Sequence, residues 1–158
     1  YLQCKLQLFK QTKEDGICVL NKDDPYYEQV KAVCNGKVFS YGKDSDNTLQ
    51  IVDFKVFPSR TEIKFNYKGN EFDVESPLLG DFNVSNLAAA LLACLELGFK
   101  LEDLLQNIEG LNVDGRLQLL NTKTPYYVMV DYAHTPDALK NVLDTINENK
   151  FSLYAAYV

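Results

Sequence analysis

The segment from Val128 to Lys140 reads VMVDYAHTPDALK, and the prediction of the fold begins with it. The apolar run from Tyr126 to Val130 predicts a β-strand that ends on Asp131. Thr135 then suits the N-cap of a helix, and Pro136 suits its first helical position, where a missing backbone N–H costs nothing. The segment therefore predicts a strand, a short polar turn and the start of a helix, which is the repeating unit of α/β proteins.

Residues in such a turn are candidates for ligand binding, because the carboxyl end of a strand and the N-terminus of a helix meet there. Asp131 ends the predicted strand and could accept a hydrogen bond from a ribose hydroxyl. His134, the only histidine of the chain, stands just before the helix. The pattern is equally typical of a purely structural turn, in which Asp131 shapes the turn and His134 is a loop residue.

The run DYAHTPD at residues 131–137 resembles the signature of the Mur ligases, most closely those of the MurE type, the UDP-N-acetylmuramoyl-tripeptide synthetases. In that family the run opens the C-terminal domain and contributes to the ATP site. The resemblance implies that Asp131 binds the ribose. It also implies that His134 supports the nucleotide site, and no proton transfer is assigned to it.

The composition is that of a folded globular protein, since 46% of the 158 residues are hydrophobic and 24% are charged. The net charge is −6 and no basic stripe is present, which argues against nucleic acid as a partner. No apolar run approaches the roughly 20 residues of a membrane span, and no signal peptide is recognisable. The chain does not begin with Met, and we expect both ends to be cut from a longer protein.

The four cysteines argue for a reducing compartment and against a zinc site. They form no Cys-x-x-Cys pair, and only one histidine accompanies them. Cys18 and Cys94 lie in apolar runs and are expected to be buried free thiols. Such thiols are typical of the cytoplasm.

The first residues predict a helix, because Leu2, Leu6 and Phe9 recur at helical spacing. From spacing alone, Lys5 is an ordinary solvated lysine. The run from Tyr1 to Phe9, however, resembles the Tyr-x-x-x-Lys-x-x-Leu-Phe helix of the family, in which the lysine is carbamylated by carbon dioxide. A carbamate presents two oxygen ligands, as Mg²⁺ prefers. The resemblance therefore implies that Lys5 is a catalytic residue that holds Mg²⁺ as its carbamate.

The middle of the chain predicts strands around one short helix. Asp24 suits the N-cap of a helix from Pro25 to Cys34, or it could hold a metal together with Asp23. The alternation of apolar and polar residues and the turn at Lys68-Gly69-Asn70 predict a hairpin. The predicted strands are Ile17 to Leu20, Val38 to Tyr41, Leu49 to Phe57, Thr61 to Tyr67 and Phe72 to Glu75. We interpret the last three as a small antiparallel sheet.

A segment with several polar residues, 80–86, precedes the helix that is predicted from Leu87 to Gly98. Asn83 or Ser85 could simply cap this helix. The segment Gly80-x-Phe82-Asn83-x-x-Asn86 also resembles the Gly-x-[His/Phe]-Asn-x-x-Asn segment of Mur and folylpolyglutamate ligases, where asparagine helps to hold adenine. An amide can donate and accept, which suits an adenine edge. The resemblance favours Asn83 for this role, with Asn86 second.

A loop rich in turn residues, 110–115, follows a second predicted helix, Leu101 to Ile108. We place the domain boundary in this loop, so that 1–112 belong to the ATP-binding central domain and 113–158 form the linker and the start of the C-terminal domain. Arg116 reads either as a surface charge or, by resemblance to the Gly-Arg pair of the family, as a ligand of the nucleotide phosphates. The family usually has Pro where this chain has Asp114, and an acidic residue where it has Gln118.

The C-terminal residues continue the α/β pattern. Leu139, Val142, Leu143 and Ile146 predict one apolar face of a helix from Ala138 to Asn147. Residues 151–158 then read as the next strand. The resemblance thus implies an α/β fold, namely part of a P-loop-type Mur ligase central domain with a small antiparallel sheet, followed by the start of a Rossmann-like domain.

No phosphate loop of the form Gly-x-x-x-x-Gly-Lys-[Ser/Thr] occurs in the 158 residues. The resemblance places that loop upstream of Lys5, and it places the uridine-nucleotide domain and most of the C-terminal domain outside the chain. The residues that select the incoming amino acid would follow Val158. The chain alone is therefore not expected to be active.

The activity that the resemblance implies is an ATP-dependent, cytoplasmic ligation in peptidoglycan precursor synthesis. ATP phosphorylates the terminal carboxylate of UDP-N-acetylmuramoyl-L-alanyl-D-glutamate, and the amine of a diamino acid then attacks the acyl phosphate. Two alternatives stay open. One is another ligase of the superfamily, such as a cyanophycin synthetase or a folylpolyglutamate-type ligase, and the other is a non-catalytic nucleotide-binding module.

Overall fold

The computed structural model of the protein describes residues 2–120, 123 and 127–148. None of the helices in these ranges is both long and apolar enough to cross a lipid bilayer. The helices and strands follow one another in this order: α1 (Leu2–Lys10), β1 (Ile17–Asn21), α2 (Tyr27–Lys31), β2 (Lys37–Gly42), β3 (Leu49–Val56), β4 (Thr61–Tyr67), β5 (Asn70–Ser76), α3 (Asp81–Glu96), α4 (Leu101–Ile108), β6 (Gln118–Leu120), β7 (Val128–Val130) and α5 (Pro136–Glu148).

The first five strands form one mixed sheet in the order β1-β2-β3-β4-β5. β1, β2 and β3 are parallel, whereas β3, β4 and β5 form an antiparallel meander. The predicted antiparallel strands are therefore present, but they continue the parallel strands within a single sheet. The two parts join where Tyr41 and Gly42 of β2 pair with Leu49 and Gln50 of β3. The α/β class is confirmed.

The predicted alternation along β4 is confirmed, and it directs one face of the sheet towards α3. Ile63 and Phe65 are buried, whereas Glu62 and Lys64 between them are exposed. The buried face packs against α3, in which Leu92 is fully buried. Burial of each large apolar side chain stabilises the fold by about 1.5–3 kcal/mol. This packing fixes α3, and with it the polar residues of its first turns.

The two cysteines that were expected to be buried differ in their exposure. Cys18 on β1 is buried, as predicted, whereas Cys94 on α3 is only partly buried. Both are free thiols. The free-thiol prediction is therefore confirmed, and the burial prediction holds for Cys18 alone.

The predicted hairpin turn between β4 and β5 is confirmed, with Lys68 and Gly69 both at positive φ, 52° and 89°. The Lys68 side chain reaches the far end of α3, where its Nζ lies 2.7 Å from Glu96 Oε1. The hydroxyl of Tyr67 donates to the same oxygen at 2.9 Å. The Glu96 side chain is only 8% exposed, so these two contacts attach the hairpin to α3.

The helix predicted from Pro25 to Cys34 is shorter in the structure, where α2 covers Tyr27–Lys31. Asp24 organises the turn that precedes it, because its Oδ1 accepts a hydrogen bond from Tyr26 N at 2.7 Å. The carboxylate oxygens of Asp23 accept from Lys43 N at 3.1 Å. Both aspartates therefore have structural tasks, and no cluster of three or more potential metal ligands occurs among the described residues.

The helix predicted from Leu87 begins six residues earlier, at Asp81, and ends at Glu96 rather than at Gly98. The N-cap is Gly80 at φ 89°, without a side-chain hydrogen bond to the helix. Asn83 and Ser85 thus lie inside the helix, and the prediction that one of them caps it is wrong. The helix predicted at Leu101 to Ile108 is confirmed as α4.

The C-terminal part contains the predicted strand, turn and helix. β7 covers Val128–Val130 and pairs antiparallel with β6, and α5 begins at Pro136. Thr135 is the N-cap as predicted, since its Oγ1 accepts a hydrogen bond from Ala138 N at 3.2 Å. The predicted strand at 151–158 lies outside the described residues, as does the predicted strand residue Tyr126.

Candidate functional site

Four of the predicted site residues line one cavity of about 560 Å³. They are Asn83 and Asn86 from α3, Arg116 from the linker, and Asp131 from the turn after β7. These residues come from three separate segments of the chain, so their convergence is a property of the fold. The other lining residues are mostly apolar: Leu78, Phe82, Leu87, Ala90, Leu111, Val113, Ala133, Ala138, Asn141 and Val142.

The two asparagines of α3 are hydrogen-bonded to each other, and they differ in exposure. Asn83 is 5% exposed, and its Nδ2 donates to the carbonyl of Leu79 at 2.8 Å. Its Oδ1 accepts from Nδ2 of Asn86 at 3.2 Å. Asn86 is exposed, and its amide retains further hydrogen-bonding capacity. Asn83 is therefore placed to orient Asn86, which presents the more accessible amide.

The linker is anchored to the first turn of α3 by apolar packing. Leu117 is only 2% exposed although its backbone adopts a positive φ of 45°. A Cβ at Gly80 would lie 2.8 Å from Phe82 Cε1 and 3.3 Å from Leu117 Cδ1, so both side chains crowd this glycine. The absence of a side chain at Gly80 therefore allows the linker to lie against α3, next to Arg116.

The carboxylate of Asp131 joins the turn after β7 to the linker. Its Oδ2 accepts from Leu117 N at 2.8 Å, and its Oδ1 accepts from Ala133 N at 2.7 Å. Each carboxylate oxygen can accept a second hydrogen bond. Asp131 is therefore a turn-forming residue and a cavity-lining residue at once, so the two interpretations of its sequence position do not exclude each other.

His134 is exposed and does not line the cavity. Its Nδ1 lies 2.9 Å from the carbonyl oxygen of Tyr132, which can only accept, so Nδ1 carries the proton in this contact. The rings of Tyr132 and His134 meet edge to face at 4.8 Å, and the Arg116 guanidinium lies 5.5 Å from the centre of the Tyr132 ring. The Tyr132 ring thus lies between His134 and the Arg116 guanidinium.

Lys5 is not brought to the cavity. It lies on the exposed face of α1, outside the lining residues. A lone carbamate supplies two oxygens, whereas Mg²⁺ requires about six ligands. A magnesium site at Lys5 would therefore need further ligands besides the carbamate.

The apolar walls of the cavity were not among the predicted site residues. Phe82 and Leu87 flank the two asparagines on α3, and Val113 precedes Arg116. Their sequence signal was ordinary core spacing, which does not distinguish a cavity wall from a packed core. Asn141 on α5 also lines the cavity, and its sequence position gave no signal that distinguished it from a surface residue.

Comparisons with known proteins cover most of the chain. Residues 1–94 match the model of the Mur ligase middle domain. The UDP-N-acetylmuramoyl-L-alanyl-D-glutamate–2,6-diaminopimelate ligase of Aquifex aeolicus is 32% identical over 145 residues, which cover 92% of this chain and 29% of that protein. The corresponding L-lysine ligase of Staphylococcus aureus strain MW2 is 33% identical over 151 residues, which cover 92% and 31%.

Solved structures show the same fold. The crystal structure of the MurF ligase from Thermotoga maritima in complex with ADP matches with a TM-score of 0.77 at 22% identity, and the match covers 92% of this chain and 34% of that chain. This chain therefore spans about a third or less of the length of its relatives.

The match to the middle-domain model includes more than half of the chain, and it contains Lys5, Asn83 and Asn86. Arg116, Asp131 and His134 follow the matched residues and are covered by the longer alignments to whole ligases. The family and the MurE type of the two relatives agree with the resemblance found at residues 131–137. The chain belongs to the Mur ligase family.

Proposed function

We propose that the cavity binds the adenosine part of ATP. The observation that carries this proposal is the convergence of Asn83, Asn86, Arg116 and Asp131 on one cavity with largely apolar walls. Such a combination suits a base and a sugar, because apolar walls cover the flat base while a few polar groups fix its orientation. The volume of about 560 Å³ is within the usual range for small-molecule sites.

Each polar residue has a task that follows from its chemistry. The Asn86 amide, oriented by Asn83, donates to and accepts from the edge of the base. The Asp131 carboxylate accepts from a ribose hydroxyl with the capacity left after its two backbone contacts. The Arg116 guanidinium binds phosphate oxygens in a bidentate manner. His134 supports Arg116 through the Tyr132 ring.

We infer that the whole protein is an ATP-dependent amide-bond ligase of peptidoglycan precursor synthesis. The relatives from Aquifex aeolicus and Staphylococcus aureus are named for ligation to UDP-N-acetylmuramoyl-L-alanyl-D-glutamate, one of 2,6-diaminopimelate and the other of L-lysine. The proposed substrates are therefore this UDP-linked dipeptide and a diamino acid, in the cytoplasm. The names of the two relatives give different amino acids, so we propose a diamino acid as the substrate class and not a particular amino acid.

Residues outside the cavity complete the proposal. Lys5, as its carbamate, would supply oxygen ligands to Mg²⁺, and the remaining ligands would come from the nucleotide and from groups beyond the described residues. Magnesium would neutralise phosphate charge, which is its usual contribution to phosphoryl transfer. We also propose that the central domain extends to residue 112 and that residues 113–158 are the linker and the start of the next domain.

The nucleotide site is tested by ADP affinity, measured by isothermal titration calorimetry on the full-length protein. Asn86→Ala and Arg116→Ala should each weaken ADP binding by about tenfold, since each removes one or two hydrogen bonds to the ligand. Asn107→Ala and Arg60→Ala are matched controls, because neither residue lines the cavity.

Two results would count against the site. Binding unchanged in both cavity variants would remove the nucleotide from this cavity, and equal losses in the controls would point to a general effect on folding. Release of phosphate from ATP that depends on both the UDP-linked dipeptide and a diamino acid tests the ligase activity. Phosphate release independent of those substrates would contradict it.

A further inference from the structure

The turn that carries Arg116 has an unusual backbone. Gly115 has a φ of 69° and Leu117 a φ of 45°, so two left-handed residues flank Arg116. Leucine rarely adopts this conformation, which persists only where neighbouring contacts hold it. The direction of the Arg116 side chain depends on the backbone conformation of these two residues. The contacts that stabilise this conformation therefore also determine where the guanidinium lies.

Contacts on one side of the turn come from the segment after β7. Asp131 accepts from Leu117 N, and the carbonyl of Gly115 accepts from Tyr132 N at 2.8 Å. Arg116 N itself donates to the carbonyl of Val113 at 3.1 Å. None of these contacts involves the N–H of Gly115, which points to the opposite side of the turn and donates there.

Three side chains, those of Gln118, Asp114 and Asn112, lie on that opposite side. Oε1 of Gln118 accepts from Gly115 N at 3.1 Å, and its Nε2 donates to Asp114 Oδ1 at 2.8 Å. Nδ2 of Asn112 donates to the same Asp114 oxygen at 2.9 Å. The backbone of Gln118 is fixed in turn, because it pairs with Val130 in the β6–β7 sheet. The Gln118 amide therefore connects a strand, the turn and an acidic side chain.

The chemistry of this arrangement requires an amide at position 118. One end of the side chain must accept from Gly115 N–H, and the other must donate to the Asp114 carboxylate, which can only accept. A carboxylate at 118 could still accept from Gly115, but it would face Asp114 with a like charge. Residues 114 and 118 are therefore matched to each other as acceptor and donor.

We propose that Asp114 and Gln118 act as a pair of positioning residues that hold Arg116 at the cavity for nucleotide binding. This inference rests on the proposed nucleotide site. Neither side chain lines the cavity, so both act through the backbone on either side of Arg116. Their contribution appears as ligand affinity even though neither residue touches the ligand.

The test first removes the hydrogen bond between the two side chains and then restores it with donor and acceptor exchanged, in the full-length protein. Gln118→Glu should weaken ADP binding by about tenfold, because the contact between the two side chains is lost and Arg116 is released. The double variant Asp114→Asn with Gln118→Glu should return to within about threefold of wild type. The amide introduced at position 114 can donate to the carboxylate introduced at position 118, which still accepts from Gly115 N–H. The double variant has the wild-type net charge. Gln106→Glu, at an exposed position of α4, is the matched control for the single charge change.

Each outcome decides between the two proposals. If wild type binds ADP and Gln118→Glu binds it within about twofold, the positioning role is wrong while the nucleotide site stands. Failure of the double variant to recover also overturns the role. In an Arg116→Ala background, Gln118→Glu should not weaken ADP binding any further. If it still weakens ADP binding by about tenfold, the pair does not act through Arg116. If wild type itself fails to bind ADP, the proposed nucleotide site falls, and the positioning role falls with it.

Discussion

The carboxylate of Asp131 is in contact with two backbone N–H groups, from Leu117 and from Ala133, at 2.8 and 2.7 Å. These two contacts stabilise the linker turn without any ligand. The position of this aspartate at the end of a strand could be predicted from the sequence, whereas the ribose contact implied by the family resemblance stays a prediction. The partner Leu117 could not be predicted, because nothing local relates it to a residue 14 positions away.

The structural task of Asp131 can be separated from its ligand task by measuring stability without nucleotide. Asp131→Asn should lower the free energy of unfolding by about 1–3 kcal/mol, because the amide nitrogen would face an N–H donor and leave it unpaired. Asp137→Asn, in the exposed first turn of α5, is the control and should cost about 0.3–1 kcal/mol. Urea denaturation of both variants checks this. Equal stability of Asp131→Asn and wild type would contradict the turn-forming role.

At the scale of the elements, the types of all predicted elements within the described residues are confirmed, whereas some helix ends and the three-residue strand β6 were not predicted. α3 begins at Asp81, directly after Gly80, which has a φ of 89° and no room for a side chain beside Phe82 and Leu117. Leu117 is distant in sequence, so local pattern could not indicate this start. Because of this early start, Asn83 and Asn86 both lie within α3, about one helical turn apart, and not in the segment that precedes the helix. Their mutual hydrogen bond follows from that spacing.

The attachment of the β4–β5 hairpin to α3 is predicted to depend on Lys68. Its Nζ neutralises the nearly buried Glu96, and the hydrogen bond to Glu96 raises the pKa of Lys68. Lys68→Met should lower the free energy of unfolding by about 1–3 kcal/mol, because Glu96 would keep only the Tyr67 hydroxyl. The matched control is Lys64→Met, whose exposed pair with Glu71 at 3.9 Å should contribute less than about 1 kcal/mol. Similar losses in both variants, measured by chemical denaturation, would contradict this role of Glu96.

For the whole molecule, the family resemblance predicted six site residues, and the structure places four of them at one cavity and two, Lys5 and His134, outside its lining. Asn83, Asn86, Arg116 and Asp131 share one cavity, but Lys5 lies on α1 away from it. Local pattern could not predict this separation, because it depends on how the mixed sheet places α1 and α3. The separation predicts that the proposed adenosine binding and the proposed role of Lys5 can be removed independently.

Lys5→Ala in the full-length protein tests that independence. We expect ligase turnover to fall by more than about 100-fold, because phosphoryl transfer depends on metal-ion neutralisation of charge. ADP affinity measured in EDTA should stay within about twofold of wild type, since Lys5 lines no part of the cavity. Lys10→Ala, on the same helix, is the control and should retain turnover. A carbamate carbon signal after incubation with ¹³C-bicarbonate should appear in wild type and be lost in Lys5→Ala. Full turnover of Lys5→Ala, or a carbamate signal that survives the substitution, would show that the carbamate assignment to Lys5 is wrong.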